Sequence, residues 1–215
     1  MRKLKLLVTS LTLCLVSCDP SYVRPPEATA SLMHKAGFDR EIHFVRESGF
    51  ELDERKRQIP AIVNVFSRRT TPERARRLAA LCYAKTLGSS WMPLDLAEIA
   101  LAETGAYGLS PKAVSHKGAL GVWQLMPERA ASHGFRPEDM RDDEKCAKAA
   151  VLELDHKLEM ARGNPVRAKK FYCGIGPDAD AYEVKRRQFR REILEELKKL
   201  ALDSVLGGPV MAMAQ

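Results

Sequence analysis

The chain has 215 residues, a formal net charge of +7 and 45% hydrophobic residues. This length is enough for one domain with a sizeable core and a linker. The moderate positive charge suits work near anionic lipid or polymer, and it is equally ordinary for a soluble domain. No stripe of basic residues is interleaved with aromatic side chains, which argues against nucleic-acid binding.

The first seventeen residues are predicted to be an export signal. Arg2 and Lys3 precede a short apolar stretch over residues 6–15, and this stretch is too short for a permanent transmembrane helix, which needs about 20 residues. The signal ends in Leu15-Val16-Ser17-Cys18, which resembles a lipobox, so we expect Cys18 to carry a lipid anchor. The alternative is a plain secretory signal followed by an incidental cysteine.

Residues 18–69 are assigned to the lipidated cysteine, a tether and an N-terminal region of uncertain structure. Asp19 resembles an inner-membrane retention signal, and Pro20, Pro25 and Pro26 favour an extended tether. No helical or strand period is sustained over this segment. Since no later segment is long and apolar enough to span a membrane, the lipid is expected to be the only anchor.

Helical periodicity dominates from residue 70 onward. Thr70 or Thr71 can cap a first helix that Gly88 ends. Pro93 begins a second helix, which reaches Glu103. Further helices are predicted over residues 144–160, 166–172 and 184–200.

The fold class is predicted to be all-α, because no alternating strand of useful length is present. The main domain is predicted over residues 70–185. A basic amphipathic helix and a tail follow over residues 186–215, and the alternating charges of this helix are typical of a solvated face.

Three cysteines remain after the signal and the lipidation site, namely Cys82, Cys146 and Cys173. In an oxidising compartment, an odd number is most simply explained by one disulfide and one free thiol. No cluster of cysteine and histidine has the spacing of metal ligands, so we predict no metal site.

Glu103 is the candidate catalytic acid. Leu96, Ile99, Ala100 and Glu103 have the spacing i, i+3, i+4 and i+7, so they share one helix face, and Glu98 is expected to point elsewhere, into solvent. A carboxyl group held against apolar neighbours has a raised pKa, which a general acid for a glycosidic oxygen needs. The alternative is a glutamate at a fraying helix end that turns to water.

A glycine-punctuated loop follows the helix and carries candidate sugar-binding groups. The Ser115 hydroxyl and the Gln124 amide can bind a sugar hydroxyl or an N-acetyl group. Trp123 fits two interpretations, which are stacking on the face of a sugar ring and a place in the hydrophobic core.

Four segments resemble the soluble lytic transglycosylase family. Residues 103–105 (ETG) resemble its Glu-Ser-Gly start, residues 113–115 its Ala-Val-Ser step, and residues 118–127 (GALGVWQLMP) its Gly-Leu-Trp-Gln block. The tryptophan form of this block is closest to the membrane-bound D-type lytic murein transglycosylases. Residues 171–177 (FYCGIGP) resemble the Ala-Tyr-Asn-Ala-Gly segment, and the likeness as a whole covers residues 76–185.

The resemblance implies a lysozyme-like helical fold with an active-site groove. It also implies cleavage of the β-1,4 bond between N-acetylmuramic acid and N-acetylglucosamine in peptidoglycan, with a 1,6-anhydro product. Glu103 would be the single general acid and base, and no cofactor is required. Ser115, Gln124 and Trp123 would bind the glycan strand, while the Tyr172 hydroxyl would assist at the reacting sugar.

The chain departs from the family pattern at three points, of which Thr104 in place of the common serine is a mild change. Twelve positions separate Glu103 from Ser115, about three more than is usual in the family, so the intervening loop must bulge. Cys173 stands where the family has asparagine. By resemblance to small transglycosylases of secretion systems, Cys82–Cys146 is the preferred disulfide, and Cys146–Cys173 is the alternative.

Two other functions stay open at this stage. A lysozyme-type hydrolase would pair Glu103 with a second carboxylate from residues 138–143, and a non-catalytic lipoprotein would only bind the wall. The expected partners are peptidoglycan strands, a membrane through the lipid on Cys18, and secretion or pilus machinery, which places the protein in the bacterial cell envelope facing the periplasm. Glu47 begins a second Glu-Ser-Gly run, but no matching loop follows it.

Overall fold

The structure, a computed structural model, describes residue 49 and residues 51–206, with side chains up to residue 204. The predicted export signal, Cys18, Asp19 and Glu47 lie outside the described residues. The described residues belong to one compact unit. No helix among them has both the length and the apolar character needed to cross a membrane.

Seven α-helices form the described part of the chain, so the predicted all-α fold class is confirmed. They are α1 (51–67), α2 (Pro72–Thr86), α3 (Pro93–Thr104), α4 (Pro127–Ser132), α5 (Asp143–Met160), α6 (Pro165–Lys170) and α7 (Asp178–Leu206). Three short 3-10 turns lie over Gly105–Tyr107, Pro137–Arg141 and Phe171–Cys173. Within the described ranges, β-pairing is limited to two isolated bridges, Val114–Leu120 and Leu120–Leu125.

Helix α1 was not predicted from the sequence, and helix α7 is longer than predicted. Helix α1 lies in the segment 18–69, and its Ile62 and Phe66 are fully buried in the core. Pro60 stands inside this helix, and proline normally argues against a helix because it lacks the backbone N–H. Helix α7 continues without interruption through residue 185, where the main domain was predicted to end.

Helix α3 is the central helix of the core. It packs against α2, α5 and α7, and all of its residues are buried except Glu103. A helix covered on all sides needs small or apolar residues around most of its circumference, and the sequence PLDLAEIALAET supplies them except at Asp95 and Glu98, whose charges are paired. The one residue of α3 that keeps exposed surface is therefore the candidate acid.

Glu98 corrects one prediction, since its side chain is fully buried rather than solvated. It pairs with Arg186, with Lys169 Nζ at 3.0 Å and with Arg190 Nη1 at 3.3 Å. Asp95 accepts hydrogen bonds from Lys169 at 2.6 Å and from Arg190 at 2.9 Å. These contacts tie α3 to α6 and α7, and burial still raises the pKa of Glu98.

All three cysteines of the described residues are free thiols. Cys82 in α2 and Cys146 in α5 are buried, whereas Cys173 is exposed. Neither the preferred disulfide, Cys82–Cys146, nor the alternative, Cys146–Cys173, is formed in the structure.

Candidate active site

Glu103 opens into a groove of about 740 Å³. One wall is the loop after α3, another is the start of α7, and Gln124 also lines the space. Its lining includes Tyr107, Lys112, Ser115, Gln124, Tyr182 and Lys185. Glu103 is the only carboxylate among the described residues that line this groove.

The electrostatics of Glu103 suit proton transfer near neutral pH. Burial raises the pKa of this carboxyl to about 7, and the Tyr182 hydroxyl and the Lys185 charge lower it in part. The Tyr182 hydroxyl is itself buried, and among the described residues it has no hydrogen-bond partner with good geometry. It therefore faces Glu103 as an uncommitted donor.

The loop that carries the binding groups is fastened directly to α3. Thr104 Oγ1 donates to the carbonyl oxygen of Val122 at 2.8 Å, and Trp123 Nε1 donates to the carbonyl oxygen of Leu96 at 3.0 Å. Threonine in place of the family serine keeps the hydroxyl needed for this contact. These two hydrogen bonds fix the position of the loop relative to α3.

Gly121 lets this loop approach the next part of the chain closely. Its φ angle is +75°, and a Cβ atom at this position would lie 2.1 Å from the carbonyl oxygen of Met140 and 2.9 Å from Cys146 Sγ. Only glycine fits such a contact without a shift of the backbone.

Gln124 and Ser115 are held in place by the backbone around them. Gln124 adopts a φ of +50°, and its Nε2 donates to the carbonyl oxygens of Gly121 at 2.7 Å and Ala113 at 3.3 Å. Ser115 Oγ accepts from the Ala119 amide at 2.9 Å. The side-chain amide oxygen of Gln124 and the hydroxyl proton of Ser115 are therefore the groups suited to bind a ligand.

Trp123 occupies the core, which corrects its assignment as a sugar-binding residue. Its side chain has no exposed surface. The indole lies against α3, and its N–H donates a hydrogen bond to the Leu96 carbonyl oxygen. No face of the ring is open for stacking, so the core alternative describes its position.

Tyr172 lies near Glu103, the candidate acid. Its hydroxyl donates to the Trp123 carbonyl oxygen at 2.9 Å. Burial, with a further contribution from the charge of Glu103, raises the pKa of Tyr172 well above its usual value. Burial and then the same Glu103 charge also raise the pKa of Cys173 to about 11, so the residue in the asparagine position is close to Glu103 as well.

The long segment between Glu103 and Ser115 forms the expected bulge. The 3-10 turn Gly105–Tyr107 is followed by positive φ angles at Gly108 and Leu109. Leu109 is fully buried, and its carbonyl oxygen accepts from Arg74 Nη2 at 2.7 Å. Arg74 in turn donates to Asp143 at 2.8 Å. This anchor leaves the Tyr107 side chain 73% exposed at the groove.

Three groove residues escaped prediction from the sequence. Lys185 was assigned to a solvated helix face, and Tyr182 and Tyr107 carried no assignment. Tyr182 and Lys185 reach Glu103 only because α7 packs against α3, which is a contact between segments distant in the chain. A solvated face and a groove wall have the same local sequence pattern.

Residues 138–143 supply no second carboxylate to the groove. Asp143 is held by Arg74, Asp139 accepts from Lys145 Nζ at 2.7 Å, and Asp142 caps α5. Within the described part of the chain, no group of three or more His, Cys, Asp or Glu residues could hold a metal ion.

Residues 87–192 match a family model described as the transglycosylase SLT domain. This span contains α3, the glycine-punctuated loop and the first half of α7, and therefore every groove residue named above. No curated protein and no solved structure matches the chain at a significant level.

Proposed function

The chain carries a transglycosylase SLT domain at residues 87–192, and from the arrangement of its groove we propose that it is a lytic transglycosylase with a single catalytic carboxyl group, Glu103. A domain of this family implies peptidoglycan cleavage of the lytic transglycosylase type. The observation that carries the finer proposal is that Glu103 is the only carboxyl group lining the groove among the residues that the structure describes, with a pKa raised to about 7.

A pKa near 7 allows one group to serve as acid and then as base. Protonated Glu103 donates its proton to the glycosidic oxygen as the bond from this oxygen to C1 of N-acetylmuramic acid breaks. The resulting carboxylate then accepts the proton of the C6 hydroxyl, whose oxygen bonds to C1 and closes the 1,6-anhydro ring. The N-acetyl group of the substrate stabilises the intermediate, as in substrate-assisted glycosidases.

Sugar binding is assigned to residues that face the groove. Tyr107 presents a 73% exposed aromatic ring, which takes the stacking role that buried Trp123 cannot fill. The Gln124 carbonyl oxygen and the Ser115 hydroxyl bind polar groups of the strand. Tyr172 and Tyr182 flank Glu103, and Tyr182 donates a hydrogen bond to its carboxylate form.

A lysozyme-type hydrolase would need a second carboxylate to direct water. The described residues place none in the groove, which favours internal attack by the C6 hydroxyl. Anhydro and reducing-end products differ by one water molecule, so mass spectrometry separates the two mechanisms.

The test is muropeptide release from purified sacculi by the full chain in detergent, beside Glu103→Gln. We expect anhydro-muropeptides from the parent protein and none from the variant. Glu138→Gln is the matched control, because it changes an exposed glutamate from the 138–143 run and should leave the products unchanged. Reducing-end products would identify a hydrolase, and binding without release would leave only a wall-binding protein.

We also propose that a lipid on Cys18 holds the enzyme at the envelope membrane, facing the periplasm. The lipobox-like ending of the signal supports this proposal. Metabolic labelling with a fatty acid should mark the parent chain and not Cys18→Ser. Equal labelling of both proteins would contradict the proposal.

A further inference from the structure

Lysine side chains from two different elements line the groove around Glu103. Lys112 comes from the bulged loop and Lys185 from α7, and both are exposed. The exposed imidazole of His116 lies on the same rim. When Glu103 is protonated for catalysis, no negative charge remains among the residues that line the space.

Neither lysine forms an ion pair with a permanently charged acid, and the carboxyl group near Lys185 is that of Glu103, which is neutral when it holds its proton for catalysis. Among the described residues, neither Lys112 nor Lys185 forms an ion pair, whereas Lys117 beside them pairs with Asp178 at 3.7 Å. The two arginines that follow Lys185 on α7 do form ion pairs, since Arg186 and Arg187 both contact Glu183. While Glu103 is protonated, the two ammonium groups therefore face no negative charge among the described residues of the groove, and they point to a ligand that supplies it.

We propose that Lys112 and Lys185 are specificity-determining residues that select glycan strands bearing carboxylates on their muramic residues. This inference rests on the proposed function and narrows its substrate class to anionic strands. Two sources offer the same chemistry, which are the carboxylates of the peptide stems and the free lactyl carboxylate of a muramic residue without its stem.

The size of the effect follows from the exposure of the lysines. An exposed ion pair is worth up to about 1 kcal/mol, which is a factor of about 5 in affinity. The two lysines together should favour an anionic strand over a neutral one by about 5- to 20-fold. Added salt should reduce this preference, because exposed charges are screened.

The test measures binding of soluble, uncross-linked strands to full-length Glu103→Gln, which holds the substrate without turning it over. Native strands are compared with strands whose carboxylates have been amidated by carbodiimide chemistry, so that the glycan is kept and the charge is lost. We expect Kd to be about 5- to 20-fold higher for the amidated strands. The combined Lys112→Gln and Lys185→Gln changes should abolish this ratio, and the matching arginine changes should restore it.

Lys148→Gln is the matched control, because Lys148 is an exposed lysine on α5 outside the groove. It should keep the full preference for native strands. A third arm uses strands stripped of peptide by an amidase. These strands, whose lactyl carboxylates are free, are compared with the same strands after amidation. A preference for the unamidated form among stripped strands assigns recognition to the lactyl carboxylate, and a preference only among strands with their stems assigns it to the stem.

Two results would overturn the proposal. One is equal affinity of Glu103→Gln for carboxylate-bearing strands and their amidated counterparts, both with the stems in place and after their removal, and the other is an undiminished ratio after both glutamine changes. Because binding is measured without turnover, these results do not depend on the reaction mechanism. Failure of the parent protein to cut any strand would instead contradict the proposed function.

Discussion

Lys185 of α7 lies close enough to Glu103, at the end of α3, for its ammonium charge to lower the pKa of that carboxyl. Burial acts in the opposite direction and is the larger effect, so the pKa stays raised to about 7. The protonation state of the candidate acid is therefore set by two features, which are its largely buried position at the end of α3 and the docking of α7 beside it.

The pH dependence of cleavage follows from this balance. We expect kcat/KM to fall as pH rises above about 7, because the general acid must carry its proton. Lys185→Gln removes a charge that lowers the Glu103 pKa, so the falling limb should move to higher pH. Initial rates between about pH 5 and pH 9 at constant ionic strength measure the shift. Lys148→Gln should leave the limb in place, and an unmoved limb in Lys185→Gln would contradict this account.

Glu103 should also cost the fold stability at alkaline pH. Its pKa is raised in the folded state, so its contribution to stability is full below its ordinary value of 4.5 and is lost as pH rises through about 7. Glu103→Gln should therefore be more stable than the parent protein at pH 8, by about 1–2 kcal/mol after allowance for the partial exposure of the side chain.

Urea denaturation at pH 8 and at pH 4 measures this difference. At pH 4 the two proteins should be nearly equal, since Glu103 is then protonated in both the folded and the unfolded state. Glu138→Gln, an exposed change of the same kind, should have little effect at either pH. A stabilisation by Glu103→Gln that does not depend on pH would contradict the raised pKa.

Local spacing identified Glu103 as the candidate acid, and its role as the acid stays a prediction. The i, i+3, i+4 and i+7 pattern placed Glu103 on the same face as Leu96 and Ile99, and the resemblance of the following block predicted the loop beside it. Both inferences use residues that are near in sequence. The fold class also followed from periodicity, because five of the seven helices have long or well-capped apolar patterns.

Tertiary contacts explain what spacing missed. A helical pattern shows which residues share a face, but it does not show whether the opposite face is also covered. Glu98 lies on such a covered face of α3, where Arg186 meets it. Trp123 is drawn inward by a hydrogen bond to the Leu96 carbonyl, a partner distant in the chain. Helix α1 was not predicted because Pro60 lies inside it and its apolar residues form only a short pattern. Those residues are buried in the core of the folded chain.

The buried charge cluster makes Glu98 a strong determinant of stability. Glu98→Gln should destabilise the fold by about 3 kcal/mol, because the change removes a carboxylate that the buried cations share and leaves them with only Asp95 and Glu183 as partners. Lys169 and Arg186 are the buried cations that it contacts. Chemical denaturation of the variant measures the loss, with Glu195→Gln on the exposed side of α7 as control. Equal stability of the two variants would show that the cluster adds little.

Alanine substitutions at Gly118 and Gly121, two glycines of the loop after α3, distinguish the cost of a steric clash from the cost of backbone strain. Gly118 and Gly121 both have positive φ angles, +86° and +75°, but only Gly121 has neighbours that a Cβ atom would meet. Gly118→Ala should therefore cost about 1–2 kcal/mol, which is the strain of a left-handed conformation for alanine. Gly121→Ala adds a clash with the Met140 carbonyl oxygen, and overpacking raises the loss to at least about 3 kcal/mol.

Denaturation curves and cleavage rates of the two alanine variants test this difference. Gly121→Ala should also lose activity, because a backbone shift at residue 121 removes the acceptor that holds Gln124 in place. Gly118→Ala should fold and retain cleavage at a rate nearer to that of the parent protein. If both variants lose the same stability, left-handed strain alone accounts for both glycines. The close approach to Met140 would then not be the reason that the loop needs glycine at position 121.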